Sequence, residues 1–151
     1  MVKTKYEELQ KKYNLPSYKE INKDFELSIM EEEKFLLRQV RRKIAEKVEA
    51  YSKMIEPILM PESNQASMYE CQLVTEEEKS KLYKLFKKML YFDRFSIETS
   101  VNETNEQTAK FINEFWGEWS SIKSELSELF KKLKEGWTKE FELEEKRNYL
   151  G

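Results

Sequence analysis

Apolar residues recur along this chain three and four positions apart, and the longest such row reads Leu37, Val40, Ile44, Val48, Tyr51, Ile55 and Ile58. That spacing places them on one face of an α-helix with 3.6 residues per turn. A long helix is therefore expected over about residues 29–60, opened by Ser28 and Glu31 at capping-box spacing. Glu31, Glu32 and Glu33 would complement the positive end of its dipole. Pro57 loosens its last turn and Pro61 closes it.

Two further rows follow. Thr75 and Glu78 form a second capping box, with Leu82, Leu85, Phe86, Met89, Leu90 and Ile97 behind it, so a helix is expected over residues 76–100. The last row is Ile112, Trp116, Trp119, Leu126, Phe130, Leu133 and Trp137, widened by Phe115 and Ile122, and it predicts a helix over about 104–136 with Thr104 and Gln107 at its start. Gly136 is a natural place for that helix to end or bend, leaving residues 137–151 as a projecting helical extension. Before these come two short helices, about 4–13 and from Ser17 through Phe25, too short to stand alone in water and so expected to pack across the long ones. The segment 61–74 is irregular at first and then apolar at Met68, Tyr69, Cys71, Leu73 and Val74, which implies that it packs rather than floats. The expected fold is all-α, a single domain in which three long helices form a bundle.

Two charges interrupt the apolar rows. Arg41 lies within the arc of Leu37, Ile44 and Val48, and Asp93 lies in the arc of the 76–100 helix. If those helices form an antiparallel hairpin, the two charges sit within about one turn of the same level. A buried ion pair between Arg41 and Asp93 is the expectation, structural rather than catalytic.

Composition then removes most chemistry. The 151 residues include no histidine, one cysteine and three glycines. Histidine-based nucleophile arrangements and imidazole metal sites cannot be built, one thiol cannot make a zinc site, and neither a Walker A loop nor a G-x-G-x-x-G turn can be written. The sequence points to no catalytic residues, metal or cofactor, and to a protein that is not an enzyme. Glu31–Glu33 and Glu76–Glu78 are accounted for by their places at helix starts. Lys plus Arg total 27 and Asp plus Glu 29, a balance with no global pull toward nucleic acid or anionic lipid. No apolar run approaches the roughly 20 residues that span a bilayer, and one cysteine suits a reducing compartment, so the expected setting is cytoplasmic and without membrane. The abundance of Lys and Glu is also compatible with a thermophilic source.

Two surfaces remain. Phe111, Phe115, Trp116 and Trp119 project over too wide an arc for one contact to cover. With Trp137 and Phe141 they nominate the last helix as a surface for a protein partner or for self-association. The leading expectation is thus a small adaptor, regulator or homo-oligomeric subunit. Arg38, Arg42 and Lys43 nominate a nucleic-acid contact as the alternative, diluted by Glu46 and Glu49. A third reading is a small-ligand bundle using Arg41 or Asp93 with Trp116.

Overall fold

The computed structural model describes residues 1–150, with side chains described through residue 148. Among them there are six α-helices and no strand: α1 (Val2–Tyr13), α2 (Tyr18–Phe25), α3 (Leu36–Leu59), α4 (Gln65–Leu73), α5 (Glu76–Val101) and α6 (Asn105–Leu150). The fold is all-α. None of these helices is long and apolar enough to cross a membrane. The residues gather into two compact units, one of Met1–Ser52 with Lys87–Trp119, the other of Lys53–Phe86 with the chain from Ser120. Each of the three long helices contributes a segment to both.

In the first unit α1 ends at Asn14, whose left-handed backbone (φ 54°) gives its amide to the Gln10 carbonyl. Ser17 caps α2 by accepting the Glu20 amide, as its spacing predicts. The short helices are fastened to α6. Asn113 donates to the Tyr13 carbonyl at 3.1 Å, and the Trp119 indole donates to Asp24 at 2.9 Å. Phe25 enters the core with its ring 5.9 Å from Phe115 and 5.4 Å from Trp119. Tyr6 is fully buried and donates to the Pro16 carbonyl, and burial alone pushes its phenol well above the ordinary range.

The start of α3 differs from the expectation. The helix opens at Leu36, not at Ser28. Ser28 lies in a short 3-10 turn, Leu27–Ile29, where its amide donates to the Asn22 side chain at 2.7 Å and Leu27 is fully buried. Closing that turn on Asn22 takes the Ser28 amide, one of the groups a capping box would need. Phe35 then takes a left-handed backbone (φ 54°), and the Gln39 amide group donates to the carbonyls of Glu32 and Lys34. The glutamates 31 to 33 therefore lie in an exposed approach and not in a first helical turn.

In the second unit the Thr75–Glu78 box forms in both directions, at 3.1 and 3.2 Å. The segment before it is helix α4, capped by Asn64 accepting the Ser67 amide. Ile55, Ile58, Val74, Leu82, Leu85, Ile122, Leu126 and Leu133 are buried there. Helix α6 passes through Gly136 without ending, and a Cβ at that position would collide with the Leu73 side chain. The glycine marks a close approach, not a helix end.

Candidate functional site: a buried ionic cluster and the outer half of α6

Arg41 is inward-facing and buried, as its place in the apolar row predicts. Its partner is Glu103, not Asp93. Arg41 Nε donates to Glu103 Oε2 at 2.7 Å and Nη2 to Oε1 at 3.0 Å, a two-pronged pair whose side chains are 8% and 6% exposed. Nη1 donates to Ser96 Oγ at 2.9 Å, and the Thr108 hydroxyl donates to Glu103 at 2.8 Å. Asp93 instead pairs with its neighbour Arg94, whose side chain is 70% exposed.

The physical reason lies on the α5 surface. Its buried residues are Leu82, Leu85, Phe86, Met89, Phe92, Ser96 and Thr99, while Ile97, expected in the core, is 53% exposed. Asp93 falls on the flank of that row, and Ser96, one turn further on, meets the guanidinium. The carboxylate comes from the turn between α5 and α6. Burial pushes the Glu103 carboxyl up, but the bonds from Arg41 and Thr108 and the charges of Arg41 and Arg38 outweigh it, leaving the pKa below its usual value. Among the described residues no buried side-chain nitrogen or oxygen lacks a partner. The cluster's buried side chains are bonded to one another. Glu103, Ser96 and Thr108 were not visible to apolar periodicity, since each is polar and the first lies in a turn; Arg41 alone signalled that a buried anion was needed.

The aromatic cluster separates into two groups. Phe111 and Phe115 are fully buried and Trp119 is 4% exposed, with Phe92 5.3 Å and Trp119 5.2 Å from the Phe115 ring. These three, nominated as interaction surface, are core. Phe25 from α2 supplies the third side that the wide arc requires. Trp116 is half-buried beside Phe25, at 6.4 Å. Trp137 is half-buried, and Phe141 is 63% and Leu143 48% exposed. The side chains of Tyr149 and Leu150 in the same tail lie outside the described residues.

Of the basic group, Arg38 donates to the Glu103 carbonyl at 3.1 Å and lies 4.5 Å over the Phe35 ring. It serves the α5–α6 turn. Arg42 is exposed and Lys43 half-exposed, so two of the three nominated cations face solvent on α3.

The outer half of α6 carries the remaining specific geometry. Tyr69 on α4 donates to the Gly136 carbonyl at 2.6 Å, the Trp137 indole donates to Glu70 at 3.0 Å, and the Tyr69 and Trp137 rings lie 4.5 Å apart. Lys132 pairs with Glu78, and with the Thr75 amide it holds that carboxyl down at about 2. Among the described residues no group of three or more potential metal ligands converges. No family model, curated protein or solved structure matches the chain, so its functional reading rests on these residues.

Proposed function

We propose that the protein is a non-enzymatic interaction module, a small adaptor, regulator or subunit, whose partner surface is the outer half of α6. The observation that carries this reading is the pair Trp137 and Phe141, four residues apart on one face of α6, which stay half-buried and exposed while Phe111, Phe115 and Trp119 go into the core. Trp and Phe supply much of the binding energy at protein interfaces when water is excluded around them. On the helix, Glu140, Glu144 and Glu145 fall beside the Trp137 and Phe141 face, which supplies a charged rim to an apolar centre. The closed Arg41–Glu103 cluster suits a structural rather than a catalytic role, because each of its groups is already bonded.

Cross-linking in source cells tests the reading. The wild-type chain is expected to form inter-chain links to a protein partner through Lys139 and Lys146, which lie on the same stretch of helix. A chain carrying Phe141→Asp and Leu143→Asp is expected to keep its helical circular dichroism and lose those links. Links that survive both changes, or their absence in the wild type, would count against the assignment.

A further inference from the structure

The far end of α6 is exposed on every side. From Phe141 to Asn148 each side chain is exposed, Phe141 at 63% and Leu143 at 48%. Phe141 and Leu143 stand two positions apart, so at about 100° per residue they point to opposite sides of the helix. The charges divide with them. Glu144 and Glu145 follow Phe141 by three and four positions and Trp137 precedes it by four, so one side carries two rings and two carboxylates. Lys146 and Arg147 follow Leu143 by three and four positions and Lys139 precedes it by four, so the opposite side carries a branched aliphatic residue and three cations. Glu140 and Glu142 lie along the borders between the two sides.

We infer that the partner of this surface is a second copy of the chain, with the Phe141 side of one α6 lying on the Leu143 side of the next. This rests on the interaction reading above and names its partner. The two sides are complementary, acid against base, whereas either side set against itself brings like charges together. Burial of Phe141 and Leu143 drives the contact, and the charges select its register. The direction follows from α4. Gly136 lies seven residues before Leu143, nearly in line with it, and is covered there by Leu73 and by the Tyr69 hydroxyl on its carbonyl. A helix on the Leu143 side therefore arrives from beyond Arg147 and runs antiparallel. With Phe141 opposite the partner's Leu143, Glu145 falls opposite the partner's Lys139, and Trp137 falls opposite the partner's Arg147, a guanidinium over an indole. Because the two sides of one helix differ, the contact is head-to-tail and leaves a side open on each end copy, so association continues beyond a pair.

Sedimentation equilibrium of the purified full chain tests this, with circular dichroism to show that each variant is folded. At low salt the mean mass of the wild type is expected to rise with concentration past that of two chains. Raising the salt to about 1 M, where the Debye length is about 3 Å, should weaken the association. Glu144→Lys with Glu145→Lys turns the acidic side basic, and Lys139→Glu with Arg147→Glu reverses the net sign of the other side. Each double variant alone is expected to associate at least about 10-fold more weakly than wild type, and an equimolar mixture of the two to recover association, since each again meets an opposite charge. A wild type that keeps the mass of one chain at every concentration, a mass that stops at two chains, a variant that associates alone as wild type does, or a mixture that fails to recover would each overturn the head-to-tail copy. Cellular links from Lys139 and Lys146 to a different protein, found together with a purified chain that stays single, would remove the second copy and leave the interaction surface standing.

Discussion

Arg41 and Glu103 show how one residue's environment sets its energetic weight. The pair is two-pronged, nearly dry and supported by Ser96 and Thr108, so removing one member strands a buried charge. Glu103→Ala is expected to destabilise the fold by roughly 3–5 kcal/mol, whereas Asp93→Ala, whose partner Arg94 is in solvent, should change stability by about 0.5 kcal/mol or less. Replacing Arg41 with Met and Glu103 with Leu together should cost less than Glu103→Ala alone, because no charge is left unpaired. Urea denaturation of the three variants measures this; equal losses for Glu103→Ala and Asp93→Ala would remove the assigned pairing. The pH dependence has a definite sign. Glu103 is a stronger acid folded than unfolded, so the folded chain binds fewer protons there, and its contribution is present above the unfolded value of about 4.3. It is lost as pH falls through the lower folded value. Thermal midpoints measured downward from pH 5 should fall for wild type, and Glu103→Gln should remove that group's share of the slope.

At the scale of single helices, two stretches with the same capping signature behave differently. Thr75 and Glu78 bond each other's backbone amides at the start of α5. Ser28 and Glu31 do not, because Asn22 takes the Ser28 amide and Leu27 is drawn into the core. Thr75→Ala is therefore expected to lower stability by about 1 kcal/mol and Ser28→Ala by about 0.5 kcal/mol or less, read from denaturation midpoints. A large loss for Ser28→Ala would mean that α3 does begin where its local signal says. The periodic rows themselves were legible: the stripe from Leu37 to Ile58 is buried at all but Tyr51, which is half-buried. On α5 the row drifts from apolar to polar, Ser96 and Thr99 being buried where Ile97 is exposed, and a reading by hydrophobicity follows the wrong residue. Glycine 136 was legible as special but not as to why, since the reason is Leu73, 63 positions away.

For the molecule as a whole, the weight of each aromatic follows from which core receives it. Phe115 lies among Phe25, Phe92 and Trp119 in the first unit, and Phe115→Ala should cost about 3–5 kcal/mol by lost burial and the cavity left. Phe141→Ala should stay within about 0.5 kcal/mol, because its ring is 63% exposed. Comparing their urea midpoints checks the division of the cluster into core and surface; similar losses for both would return Phe141 to the interior. The amino-acid sequence by itself determined the all-α class, the three long helices, the capped starts of α2, α5 and α6, and the inward turn of Arg41, because each depends on residues within a few turns of one another. Only the tertiary structure decided the partner of Arg41, the late start of α3, the fate of each aromatic and the seat of α4. Those depend on which distant side chain arrives first at a buried charge, a spare amide or an open notch, and such meetings leave no periodic mark along the chain.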